Sequence, residues 1–172
     1  MLMNQTYKKS QKILHWLLAF LVLFWLFVSG ALVESSEGAD KAMILPIHSG
    51  GAIIILCLMI YRFRLRLANT VIPSAALKPY ERIWSVRTHL TMYALVLLMV
   101  LSGIGQGIFF EQEVRIFGFI NITLEHNESI VVIFHFIHET TANIFKLLIA
   151  IHILAALKHQ FIDRNGLLKR MS

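Results

Sequence analysis

Eight histidines occur in this chain of 172 residues, and the spacing of four of them is that of paired metal ligands. His138 and His152 share one apolar stretch and are 14 residues apart. On a helix, at about 100° and 1.5 Å per residue, they fall about 40° short of four full circles and about 21 Å apart along the axis. Both therefore present to one side, at two depths. His15 opens one apolar stretch and His48 opens the next, so two successive membrane crossings would put them at opposite depths. Each can then meet the histidine at its own level: His48 with His138, and His15 with His152. Two opposed imidazoles at each of two depths are the axial donors of a six-coordinate haem, and bundle interiors hold such cofactors. The expectation is two b-type haems stacked across a bilayer as an electron wire.

The remaining histidines compete for these places. His135 precedes His152 by 17 residues and lies about 100° off the shared face, so His138 is the better partner. His89, near the start of the third apolar stretch, could stand opposite His152 in place of His15, and spacing leaves that open. His159, two turns beyond His152 on the same face, is placed for a haem propionate or a quinone head group; a plain interfacial histidine fits as well. His126 falls in a polar loop. Zinc is the rival metal, and a His-based metal or proton transporter the rival function. A closed zinc site takes four donors, whereas each level offers two histidines with Glu139 as the nearby acid. Ser49, Gly50, Gly51 and Ala52 beside His48 would let a flat macrocycle approach the backbone, and helix–helix packing would use them equally well. Lys146 sits between the two levels, where its charge needs a partner or an escape to the interface.

These side chains need long helices in lipid to position them. The chain is 57% hydrophobic and 15% charged, against about 25% charged for a soluble domain, and its mean hydropathy is +0.68. Four apolar segments, at about 12–33, 44–63, 88–109 and 129–158, each approach the roughly 20 residues that cross a bilayer. In lipid each must be a helix, because only hydrogen bonds within the segment satisfy its backbone. The fold expected is an all-α membrane four-helix bundle, with 1–172 as a single domain. Cys57, alone in an apolar run, can build neither a disulfide nor a metal framework. The first segment is too long for a signal-peptide core. Pro46 is expected in the first turn of the second helix, and Pro73 and Pro79 in a loop that they keep from being helical. The segment 110–128 has room for a short surface helix.

Charge orients the bundle. One set of connections carries Lys8, Lys9, Lys12, Arg62, Arg64, Arg66, Lys78, Arg82, Arg87, Lys158, Arg164, Lys169 and Arg170. The other carries Lys41 and Arg115 among Glu34, Glu37, Asp40, Glu111, Glu113, Glu125 and Glu128. The positive-inside rule then puts both termini in the cytoplasm, with the His48/His138 level periplasmic. The net charge of +6 reflects this bias and not a nucleic-acid partner. Arg62, Arg66 and Arg87 could neutralise haem propionates on the cytoplasmic side, although the same bias accounts for them.

The segments Ile13-Leu14-His15-Trp16-Leu17, Pro46-Ile47-His48-Ser49-Gly50, His138-Glu139-Thr140-Thr141-Ala142-Asn143 and Ile151-His152 resemble the prokaryotic cytochrome b561 family. Arg62 with Arg66 closing the second helix fits as well, and the resemblance runs over essentially the whole chain. It implies that His15, His48, His138 and His152 ligate two haem b groups and that His89 does not. It further implies a bacterial inner-membrane cytochrome that exchanges electrons with the quinone pool, with His159 near the quinone. Related four-helix proteins are haem-bearing anchor subunits of hydrogenases and other dehydrogenases, and that alternative stays open. One branch oxidises superoxide and reduces ubiquinone. A surface collecting that anion should be positive, and the periplasmic loops here are mainly acidic, which suits a basic redox protein as donor better.

Overall fold

The computed structural model describes residues 6–71, 74 and 76–171. It consists of four long helices, α1 (Lys9–Ser35), α2 (Gly38–Ala68), α3 (Pro79–Phe109) and α4 (Glu128–Ile162), all long and apolar enough to cross a membrane. The all-α four-helix membrane bundle is therefore the fold. Most large apolar side chains on its outside are exposed, Phe20, Ile54, Leu147 and Leu154 among them. In lipid that surface is solvated.

The interior is narrow. Leu14, Leu18, Val22 and Leu26 recur every four residues along α1 and bury their side chains against Ile55 and Met59 of α2, Val96 of α3, and Phe145 and Ile149 of α4. Gln11 fastens the start of α1 to the end of α2 by donating to the carbonyls of Leu65 and Asn69, at 3.4 Å each. The α3–α4 contact is the most extensive in the bundle. Small residues make it so: Gly105 receives the Phe134 ring, and an added Cβ there would come within 2.6 Å of it.

The helices outrun their apolar segments. The helix α3 starts at Pro79, not near residue 88, because Pro79 occupies its first turn and the Glu81 carboxylate accepts from the Lys78 amide at 2.9 Å. Proline pre-sets the helical φ and needs no N–H partner there, so Pro79 begins a helix where a loop was expected. Pro73 lies outside the described residues. Pro46 stands well inside α2, not in its first turn, since α2 already begins at Gly38. Gly38 has φ +53°, which lets the chain reverse between α1 and α2. The segment 110–128 holds no surface helix; it forms a two-stranded antiparallel hairpin, β1 (Arg115–Ile116) with β2 (Ile120–Asn121). Thr123 ties this hairpin to the bundle, its hydroxyl donating to Gly107 O at 2.9 Å and accepting from Val114 N at 2.8 Å. Asn127 then caps α4, its side-chain oxygen accepting from Ile130 N at 3.2 Å.

Candidate functional site

Two pairs of histidines face each other across the bundle. His48 on α2 and His138 on α4 have ring centroids 6.4 Å apart and planes at 66°. His15 on α1 and His152 on α4 are 6.5 Å apart with planes at 80°. Two imidazoles bound on opposite sides of one metal, with bonds of about 2.0–2.1 Å, hold their centroids about 6.3 Å apart. Both pairs have that separation. His89 approaches the His152 ring to 5.4 Å, too close by about an ångström for a metal between them. His135 is turned instead to Gln106 of α3, 3.2 Å away.

The second nitrogen of each ring decides which nitrogen is free to ligate. His138 donates through Nδ1 to Met99 O at 2.9 Å, with Ser102 Oγ at 3.2 Å, so Nε2 keeps its lone pair. His48 Nδ1 lies 2.9 Å from Ser29 Oγ, while the Trp25 indole donates to the His48 carbonyl at 3.0 Å. Trp25 and Ser29 bound a π-helical turn within α1, whose wider winding brings both onto His48. At the other level the pattern changes. Arg62 Nη1 stands 2.8 Å from His15 Nδ1, and since guanidinium only donates, that nitrogen accepts.

The model of the prokaryotic cytochrome b561 family matches residues 6–172. The chain belongs to that family. No curated protein matches it. As a family member it is a multi-pass inner-membrane b-type cytochrome of electron transfer and binds haem b. The donor set suits that cofactor in kind: each level brings two imidazoles to 6.4–6.5 Å, and His15 would have to give up its contact with Arg62 to bind through Nε2. The one group of three metal donors among the described residues is Glu81, His159 and Asp163, and it shares no member with the two pairs.

Other residues of this cytochrome fall differently from expectation. Gly50 and Gly51 do admit flat rings, but those of Phe117 and Trp25; a Cβ on Gly51 would overlap the Trp25 indole. Arg62 reaches the His15/His152 level, and Arg66 follows one turn later on α2. Arg87 is exposed and stacks on Trp84, 5.7 Å from the ring centroid. Lys146 finds partners as a membrane lysine must, with Asn143 Oδ1 at 3.5 Å and the Phe27 ring at 5.9 Å.

His159 lies half-buried in a second π-helical turn, Lys158–Ile162. Its Nδ1 is 2.7 Å from Asp163 Oδ2 and 3.2 Å from Asn165 Nδ2. Lys158 also donates to Asp163 at 2.6 Å. That hydrogen bond, followed by the one from His159, holds the Asp163 carboxyl below its ordinary range.

Sequence reasoning missed the residues that hold the paired histidines: Ser29, Met99 and Ser102 at the rings, and Trp25 at the His48 carbonyl. A signal was present for two of them. Ser29 and Ser102 are hydroxyls in otherwise apolar runs and are 5% and 2% exposed, and a buried hydroxyl in a membrane helix needs a partner.

Proposed function

We propose that this cytochrome carries two haem b groups in one 1–172 transmembrane domain and passes electrons across the inner membrane between a periplasmic-side donor and the quinone pool. The observation that supports it best is the occurrence of two histidine pairs with centroid separations of 6.4 and 6.5 Å. Haem, when bound, supplies the reversible one-electron couple of its iron.

The chain's own residues do the rest. His48 with His138, and His15 with His152, would hold the two haems through their imidazole nitrogens. Phe145, midway along α4 between His138 and His152 and 3% exposed, fills the core between the levels. That keeps water out of the core between the levels. The His15/His152 level and both termini face the cytoplasm in this reading, which the basic connections support through the positive-inside rule. Arg62 and Arg66 lie near that level, where they would neutralise the propionates of a bound haem, with Arg87 further out. His159, two turns past His152, donates from Nδ1 to Asp163 and offers the Nε2 lone pair to the hydroxyl of the quinol form. On the opposite side the loops are mainly acidic, and Arg115 is neutralised by Glu113 at 2.6 Å. A basic redox protein fits that rim as donor better than superoxide does.

The test is a pair of single-ligand variants of the full chain. His138→Ala and His152→Ala should each remove one haem from the visible spectrum and leave the other. Loss of both in each variant, or of neither, would show the pairing to be wrong. Adding a quinol to the purified wild type should reduce the haem bands without a partner enzyme, and reduction that appears only with a dehydrogenase present would make the chain an anchor subunit.

A further inference from the structure

His15 has surroundings at Nδ1 opposite to those of His48 and His138, and the contrast has an electrical consequence. We propose that Arg62 makes the His15/His152 level the more oxidising of the two, so that an electron on this chain comes to rest at the Arg62 end. The inference rests on the two-haem reading above and adds a direction to it.

Three observations carry it. First, the Arg62 guanidinium stands 2.8 Å from His15 Nδ1, and Arg66 follows one turn later on the same helix. A fixed positive charge beside an iron favours the ferrous form, which carries one positive charge fewer. The half-buried setting of Arg62 limits the screening of that charge by water. Second, His138 at the other level donates from Nδ1 to a backbone carbonyl, Met99 O, and has a hydroxyl, Ser102 Oγ, beside the same nitrogen. His48 has Ser29 Oγ as its Nδ1 partner. Acceptors at the outer nitrogen raise the basicity of the ligating one, and a more basic ligand favours ferric iron. The two levels are thus pushed apart in opposite directions. Third, guanidinium has no acceptor capacity. A neutral His15 that ligates through Nε2 carries its proton on Nδ1, where Arg62 cannot receive it. Arg62 must then turn from the ring, and the Tyr93 hydroxyl, already a hydrogen-bond partner of its guanidinium, can keep its charge at this level. With haem bound at both levels, the step would move one electron from the reduced group at the His48/His138 level to the oxidised group at the other, with no bond formed or broken and no proton moved.

Spectroelectrochemical titration of the full-length, haem-loaded protein tests this. In His138→Ala the remaining haem belongs to the His15/His152 level, and in His152→Ala to the other. The first should titrate at the higher midpoint. In an otherwise wild-type chain, Arg62→Gln should lower the higher midpoint by at least about tenfold in its reduction equilibrium, about 59 mV for one electron. The lower midpoint should stay in place, and Arg62→Lys, which keeps the charge, should retain most of the difference. A reversed order of the two single-haem midpoints would overturn the proposal, as would an Arg62→Gln protein whose midpoints both stay put or whose other haem moves. Should Arg62→Gln not assemble, the single-haem comparison decides alone. A wild-type chain with fewer than two haems would instead remove the parent reading.

Discussion

Ser29 Oγ and His48 Nδ1 lie 2.9 Å apart, on two different helices. The contact exists because α1 widens into a π turn at Trp25–Ser29, and it fixes how the His48 ring faces His138. A ligand ring without such a partner rotates and loses its preferred tautomer. Removing a partner of this kind typically costs about 10- to 100-fold in metal affinity.

Ser29→Ala should therefore weaken haem retention at the His48/His138 level by about that factor, measured as haem transfer to excess apomyoglobin, and leave the other level unchanged. Ser102→Ala should do much less, because Met99 O still holds His138 at 2.9 Å. Equal effects of the two substitutions would show that these hydroxyls do not orient the ligands.

Imidazole planes crossed at 66° and 80°, if kept when haem binds, would give a strongly anisotropic low-spin ferric iron, since neither plane direction would dominate the iron orbitals. Frozen-solution EPR of the oxidised protein should show large-g-maximum signals at both levels. A rhombic spectrum of the kind parallel imidazoles produce would mean that the rings turn on ligation.

Gly51 has no room for a side chain beneath Trp25, and the Trp25 indole in turn holds the His48 carbonyl at 3.0 Å. Gly51→Ala should lower stability by about 1–3 kcal/mol, the usual cost of overpacking, read from thermal unfolding in detergent. It should also loosen the haem at the His48/His138 level before the one at His15/His152.

Much of this arrangement was legible in the sequence, and the parts that were not have physical causes. Hydropathy located the four crossings because the requirement for internal hydrogen bonding in lipid leaves no other structure. It misplaced the ends because Tyr80 to Arg87 continue α3 beyond the apolar stretch, where water and capping take over from lipid. Helical spacing on α4 put His138 and His152 on one face, and the rings of His15 and His48 do come opposite them. The occupants of Gly50 and Gly51 were not legible, since Phe117 arrives from the hairpin and Trp25 from a π turn that no periodicity announces. Nor could spacing rank His15 against His89; the distances to His152, 6.5 and 5.4 Å, favour His15.

His159 should act on the quinone and not on the haems. His159→Ala should raise the apparent KM for a soluble quinol by up to about tenfold, the upper worth of one neutral hydrogen bond, with both haem spectra unchanged. Asp163→Asn should do so more mildly, because it removes the charge at the 2.7 Å contact and leaves the imidazole in place. An unchanged KM in both variants would move the quinone elsewhere.

The most direct measurement is the number of haems per chain. Pyridine haemochrome titration of the purified, detergent-solubilised protein, against chain concentration from amino-acid analysis, should give two haem b per 172 residues. A ratio of one would leave one histidine pair without its metal, and a ratio of zero would contradict the electron-carrier account altogether.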